Sequence, residues 1–331
     1  MLTQNTLDII KLIRYGVFVV LGLASTVLSG QQTAQSSLFM MDKYQFNPAY
    51  GGLDYSLVIN AYTRSQWQGL DHNPKLVGVN AHLPYYVWNG ALGMRATSRS
   101  LGVLSHNEVS FSYNYVLNLG SGLWSNGARV GLSHLGVDGA AIVTPEGIYT
   151  GGSVNHNDPI LLPTSGSGIG LLYEVGSYYK SRRLEAGLSL TALPGNNIPQ
   201  DGFVFDKDIH VYAYGQYRFS LFDEFDLLQS ILLKTDFGEV QTEVSSIVQI
   251  NGNIFGGIGV RGYSSSSLDA VIVILGVRIT DKITLTYGYD AGVSGLRRVN
   301  EGSHELLFSY NLQKVIGTGL PPKIIYNPRY L

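Results

Sequence analysis

The sequence predicts an all-β fold: a transmembrane antiparallel β-barrel of the outer membrane, with about 14 strands. Three observations lead there. Successive segments alternate apolar and polar residues with period two, as half-buried strands do. Charged residues make up only 14% of the 331-residue chain, while Gly reaches 40 and Tyr 22. Soluble domains carry roughly 25% charge, so this balance suits a closed sheet that faces lipid and wears aromatic girdles. Finally, the N-terminus has the shape of an export signal.

That signal comprises Lys11 and Arg14, an apolar run Tyr15 to Leu28, and the small residues Ser29 and Gly30. The run is too short for a spanning helix, which needs about 20 residues, and fits a secretory h-region, so residues 1–30 are expected to be a cleaved signal peptide. A Cys after Leu28-Ser29-Gly30 would make a lipoprotein box; Gln31 stands there instead, so no lipid anchor is expected. The formal net charge of −2 offers no basic patch for a nucleic-acid partner. Cysteine is absent, which excludes disulfides, thiolate catalysis and Cys-based zinc sites.

Residues 31–52 read as a polar, turn-rich periplasmic lead-in, at or inside the barrel mouth. The barrel follows over residues 53–312. Its first strand, Tyr55 to Arg64, turns Leu57, Ile59 and Ala61 outward and Asn60, Tyr62 and Arg64 inward. Strands Leu76 to Tyr85 and Ala91 to Thr97 are joined through Asn89-Gly90, a strong hairpin signal. Strand Glu108 to Leu119 carries Val109, Phe111, Tyr113, Tyr115, Leu117 and Leu119 on one side.

Further strands are expected at Ala128 to Val137, Gly168 to Tyr178, Leu184 to Ala192, Ile209 to Phe219, Leu228 to Thr235, Val240 to Ile250, Ile254 to Gly262 and Asp269 to Arg278. The hairpin Ile283 to Leu312 closes the barrel, with aromatics at the ends of its apolar faces. Long and short connections alternate, as outer loops and periplasmic turns do. Ser98 to Asn107 and Gly120 to Gly127 read as connections of similar length, and Phe222 to Gln229 as either a turn or a short amphipathic helix. The Pro-rich residues 313–331 read as a periplasmic tail.

Both ends of the mature chain carry recognisable motifs. Phe46-Asn47-Pro48-Ala49-Tyr50-Gly51, then Arg64 with Gln66-Trp67-Gln68-Gly69-Leu70 and Pro74, then His82-Leu83-Pro84, stand at the start. Tyr287-Gly288-Tyr289-Asp290, Ser294-Gly295-Leu296, Gly302-Ser303-His304-Glu305 and Asn327-Pro328-Arg329-Tyr330 stand at the end. In this order and spacing they resemble PorP/SprF-type proteins of type IX secretion. Family members commonly follow the Tyr with Ala-Gly, where this chain has Gly51-Gly52. The resemblance implies an outer-membrane barrel that serves type IX secretion and, in some members, gliding motility. It also implies partners: periplasmic ring lipoproteins of the machinery, or a secreted adhesin held by its type IX C-terminal domain.

Barrel closure puts the first and last strands side by side, so Arg64, Asp290 and Glu305 share one end and the lumen-facing parity. They read as a seam lock or as part of a cargo-binding rim. Trp67, with Gln66 beside it, reads as an interface anchor or a partner contact. His304 has the opposite parity and suits a capping or loop hydrogen bond, or a partner contact at the rim. The loop Asp138 to Ser167, with Asp158-Pro159, is a candidate surface contact or lumen plug.

No G-x-S-x-G elbow, H-E-x-x-H or Walker loop occurs, and the seven His are scattered, so neither an enzyme nor a cofactor or metal is expected. The expected function is that of a non-enzymatic barrel in outer-membrane lipid that anchors or helps export a secreted surface protein. A channel or transporter for small or hydrophobic solutes is the alternative; inward Tyr62, Tyr212, Tyr214 and Arg218 speak for a filled interior instead.

Overall fold

In the computed structural model the chain is described over residues 35–316, apart from 86–87, 151–153, 159–160, 162–164, 194–197, 201–207, 223, 264–266 and 294. The expected signal peptide and most of the expected tail lie outside the described residues. Fifteen strands form one sheet: β1 (Val58–Ser65), β2 (Lys75–Tyr85), β3 (Gly90–Leu101), β4 (Leu104–Leu119), β5 (Gly122–Asp138), β6 (Ser165–Lys180), β7 (Leu184–Leu193), β8 (Ile198–Gln200), β9 (Asp208–Phe222), β10 (Phe225–Thr235), β11 (Val240–Ile250), β12 (Ile254–Tyr263), β13 (Ser267–Thr280), β14 (Ile283–Gly292) and β15 (Ser303–Asn311). Neighbours pair antiparallel in chain order, and β1 closes on β15 with Arg64 opposite Glu305. The short β8 pairs with β6 beyond the end of β7, leaving a closed barrel of 14 staves.

Closure removes every sheet edge, so the backbone is satisfied without water and the outward faces can be apolar. On β4 the outward Phe111 is 61% exposed to the surroundings, whereas the inward Ser110 is 0%. Among the described residues no helix is long and apolar enough to cross a membrane; crossing is by strands.

The connections separate the two ends. One end carries 66–74, 139–164 and 293–302; the other carries only 86–89, 120–121, 181–183, 223–224, 251–253 and 281–282. The first end is therefore the cell-surface side and the second the periplasmic side.

Three local expectations change. Ser98 to Asn107 is mostly strand, because β3 and β4 continue past the apolar band to a tight turn at 102–103, where Gly102 has φ +59°. Likewise β5 starts at Gly122, after the two-residue turn Gly120-Ser121, where Gly120 is also at φ +59°. Ladder hydrogen bonds, which ignore side-chain polarity, carry these strands beyond the hydrocarbon. Phe222 to Gln229 is not a helix: Leu227 pairs with Phe219 and Leu228 with Arg218 across the β9–β10 hairpin.

The largest correction concerns the lead-in. It does not stay at the periplasmic mouth; residues 35–54 form a strap that runs the length of the lumen. Gln35 to Ser37 contact residues at the cell-surface end, and Gly52 to Asp54 contact residues at the periplasmic end. The strap brings its own apolar core with it. Leu38, Phe39 and Met40 are at most 4% exposed and pack against Ile272, Ile274 and Leu307, while Tyr44, Ala49 and Leu53 pack with Leu123 and Tyr178.

Candidate functional site

At the cell-surface end β1, β14 and β15 bring Arg64, Asp290 and Glu305 together. The Arg64 guanidinium donates to Glu305 Oε2 at 2.9 Å and to Asp290 Oδ2 at 2.6 Å. β12 adds Arg261, which donates to Asp290 at 2.8 Å and to Glu243 of β11 at 2.6 Å. All five residues are at most 4% exposed. Buried charges of this kind persist only when paired and hydrogen-bonded, and the strap completes the pairing. Ser37 donates its backbone N–H to Glu305 at 2.7 Å and its hydroxyl to Asp290 at 2.8 Å, and accepts from Arg64 at 3.0 Å. Ser36 Oγ also donates to Glu305.

The loops close over this cluster. Gln66 Nε2 donates to Gln35 Oε1 at 3.2 Å, and the Trp67 N–H donates to Ser303 Oγ at 3.2 Å. Gly302, at φ +90°, accepts from the Gln68 N–H at 2.8 Å; a side chain there would strike the Asp290 carbonyl. Arg64, Gln66, Trp67, Asp290 and Ser303 thus line one small cavity of about 20 Å³ with Gln35 and Arg261. His304 points the other way, onto the outer face, where its Nδ1 meets the Tyr287 hydroxyl at 2.6 Å. It belongs to the aromatic girdle and not to the rim. Asp158 lies apart, exposed in the 139–164 loop.

A second charged cluster sits across the lumen. Glu174 of β6 receives Arg95 of β3 at 2.6 Å and Arg129 of β5. The same arginines donate to strap carbonyls, Arg95 to Gln45 and Arg129 to Tyr44, each at 2.7 Å. Arg129 also stacks over the Tyr44 ring, 4.5 Å from its centroid. On β4, Glu108 lies 3.1 Å from His106 Nε2, and His106 Nδ1 faces an Arg99 nitrogen at 2.5 Å.

The motif Asn47 to Gly51 forms the seat of the strap. Asn47 caps the 3₁₀ turn Pro48–Tyr50, accepting from the Ala49 N–H at 2.9 Å, with Pro48 supplying the first-turn geometry. Its amide also donates to the Ser177 and Leu188 carbonyls, both at 3.1 Å, joining β6 to β7. Asn114 of β4 donates to the Ala49 and Gly51 carbonyls at 3.1 and 2.8 Å. The wall is recessed to receive this turn: a Cβ on Gly176 would collide with Asn47 Oδ1, and one on Gly127 would come within 2.9 Å of the Ala49 backbone. Below, Tyr50 donates to Asp54 at 3.0 Å, and Lys180 meets the same carboxylate at 2.7 Å. Burial pushes the Asp54 carboxyl up, but the Lys180 ammonium, together with His82 and Lys43, more than offsets this and holds it at about 2.

Arg261, Glu243, Arg95, Arg129 and Glu174 are not among the sequence-level candidates. Each is a lone charge between outward apolar or small neighbours, such as Val260-Arg261-Gly262 and Tyr173-Glu174-Val175. In a barrel strand that pattern marks an inward charge that needs a partner. Among the described residues no group of three or more His, Asp or Glu side chains is arranged to hold a metal ion.

The family described as "Type IX secretion system membrane protein PorP/SprF" matches residues 28–310. No curated protein sequence matches significantly. Solved structures that resemble the barrel include the outer membrane protein Omp33 of Acinetobacter baumannii, at 8% identity and TM-score 0.46, covering 78% of this chain and 99% of that one. The CymD monoaromatic hydrocarbon channel matches at 12% and 0.49, covering 88% and 96%. The toluene transporter TbuX of Ralstonia pickettii matches at 10% and 0.47, covering 85% and 95%. At such identities and scores the likeness is one of barrel architecture alone. The family match spans most of the chain and coincides with a closed barrel of outer-membrane type: this protein belongs to the PorP/SprF family of type IX secretion system membrane proteins and resides in the outer membrane.

Proposed function

We propose that the barrel is a non-enzymatic holding component of the type IX machinery, which anchors or helps export a secreted surface protein by engaging its C-terminal domain at the cell-surface rim. The observation that carries this reading is the strap. Residues 35–54 cross the lumen and are tied to it by hydrogen bonds from Ser36 and Ser37 to a buried ion-pair cluster at one end, and by a capped turn and the Asp54–Lys180 pair at the other. A lumen filled by the chain's own covalently attached segment favours a scaffold over a free solute path, which needs an open route or a plug that leaves readily.

The rim supports the same reading. Loop 66–74 and loop 293–302 are tied to each other through Gln68 and Glu301 as well as Trp67 and Ser303, giving a fixed surface and not loose loops. A partner that meets a preorganised rim loses less entropy on docking.

The test is a detergent pull-down of the tagged barrel from its own envelope, with mass spectrometry of what co-purifies in stoichiometric amount. A large secreted protein with a type IX C-terminal domain, or the periplasmic ring lipoproteins, is the expected result. A barrel recovered alone that conducts ions or takes up a solute in liposomes would replace this reading with a channel.

A further inference from the structure

The lipid-facing wall of β10 and β11 carries a polar pair at mid-depth. Ser230 and Leu232 on β10, like Ser245 and Ile247 on β11, are buried inward, so by alternation Gln229 and Ser246 face outward. They stand opposite each other, and Gln229 Nε2 donates to Ser246 Oγ at 2.6 Å. β10 and β11 have 11 residues each, about what a tilted strand needs to cross the hydrocarbon. Apolar outward residues flank the pair on both sides, Leu227 and Ile231 on β10 and Val248 and Val244 on β11, which sets it inside the apolar band. The outward asparagines of β4 and β5 lie at the margins instead. Asn107, paired with His134, is near the cell-surface end of β4, and Asn126, paired with Tyr115 and one outward position from Trp124, is in the periplasmic belt.

The mutual hydrogen bond leaves the Gln229 carbonyl oxygen, its second N–H and the Ser246 hydroxyl proton without a partner among the described residues. Lipid tails supply none, and unmet polar groups in hydrocarbon are costly. Two glycines mark the same spot independently. Gly215 of β9 and Gly256 of β12 face outward and lie diagonally beside Gln229 and Ser246, whose direct partners on those strands are Tyr217 and Ile258. On the inner face of β12 glycine is demanded by space: a Cβ on Gly257 would come within 2.1 Å of the Ser246 carbonyl. On the outer face a Cβ on Gly256 would meet nothing closer than 3.5 Å, and one on Gly215 only an Ile231 methyl at 3.3 Å; neither glycine has a positive φ. The packing of the barrel itself does not ask for glycine there, and glycine weakens a strand, so these dents fit the close approach of another backbone.

Depth selects the partner. Two barrels inserted in the same direction pair about a two-fold axis along the membrane normal, so residues near the axis meet their own counterparts at the same depth. A carboxamide both donates and accepts, which makes the Gln229–Ser246 pair self-complementary. The connections beside this wall are short, 236–239 at the cell-surface end and 251–253 at the periplasmic end, and leave room for a second barrel. Four strands about 4.8 Å apart and about 11 residues long offer up to roughly 700 Å² per copy, close to the ~800 Å² that each partner of a specific interface buries. We propose that the β9–β12 wall joins two copies of this chain in the outer membrane, with Gln229 and Ser246 at the axis. The pairing is separate from what the rim holds.

The chain has no cysteine, so a single introduced cysteine reports alone. I231C and V244C, both on the wall beside the pair, and V79C on β2 across the barrel are oxidised with copper phenanthroline in the native outer membrane. A disulfide-linked species of twice the chain mass is expected from I231C or V244C and not from V79C. Q229L keeps the bulk and removes the amide on a surface where leucine suits lipid, so the barrel should fold, checked by heat-modifiable gel migration. Combined with the productive cysteine, it should lower the linked fraction about threefold to tenfold. G256A, which adds only a Cβ that the barrel accepts, should lower it as well.

No linked species from either wall position, equal linkage from V79C, or indifference to Q229L would overturn the proposal. A linked species of another mass would give the wall to a different protein and overturn the second copy as its occupant.

Discussion

The two ends of the strap are fastened by different physics. At the cell-surface head, Ser36 and Ser37 sit among Arg64, Arg261, Asp290 and Glu305, and almost every contact is charge-assisted. At the seat, Asn47 to Gly51 fit a glycine-lined recess, where a capped turn and buried side chains decide the position. Charge networks lock when complete but become costly when one member is removed. Shape fits fail by collision or by leaving voids. The head is thus the end that a competing polar group from outside could engage, and the seat is the end that holds the chain in register. The contrast also fixes the direction of the strap, from which the largest effect follows. An epitope inserted directly before Gln35 should be reached by antibody on intact cells, whereas one placed after Lys314, beside Ser56 at the periplasmic end, should stay hidden until the outer membrane is opened. The reverse labelling pattern would invert the assignment of head and seat to the two sides of the membrane.

Removing the cation at the head comes next. R64M leaves Glu305 with only serine donors and Asp290 with Arg261 as its one cation beside the Ser37 hydroxyl. Breaking one member of a buried pair is destabilising by about 3–5 kcal/mol, and the double variant R64M/E305Q should recover part of that because the stranded charge goes too. Urea unfolding followed by tryptophan fluorescence reads the difference; equal losses in single and double variants would mean that Glu305 does not depend on Arg64. At the seat the corresponding change is G176V, which drives a side chain into Asn47. Overpacking of this sort typically destabilises by about 1–3 kcal/mol. It should also loosen the plug, read as raised single-channel conductance in planar bilayers, while G102N at the exposed turn, with open space around it and a residue that tolerates its positive φ, should leave conductance unchanged.

The barrel was legible in the sequence because strand periodicity is local: Val109 to Leu119 announces its lipid face without reference to any other segment. The trio Arg64, Asp290 and Glu305 was legible one step later, since closure and parity place all three at one end, and the structure joins them. The path of the strap was not. Its residues have no period, and each anchoring contact reaches across the chain, Ser37 to Glu305 or Asn47 to Leu188, so nothing nearby in sequence tells which way it runs. The second cluster was missed for a related reason. Arg129 and Glu174 lie on neighbouring strands separated by the long 139–164 loop, and only the register of β5 against β6 sets them opposite each other.

The smallest effect tests whether the periplasmic end of the strap, unlike the seat just above it, also relies on charge. Asp54 is paired with Lys180, and its carboxyl titrates at about 2 in the folded chain against an ordinary 3.8. A carboxyl held below its unfolded value binds fewer protons when folded, so it contributes stability above about pH 4 that disappears as pH falls toward 2. The shift corresponds to roughly 2 kcal/mol at 1.36 kcal/mol per pH unit. D54N should therefore unfold at lower urea than the parent at pH 7, with the gap narrowing steadily below pH 4. A gap that stays constant down to pH 2 would mean the loss comes from Tyr50 and the altered hydrogen bond, not from the charge on Asp54. In that case the whole lower half of the strap, seat included, would be held by shape and hydrogen bonding, and charge would belong to the outer half alone.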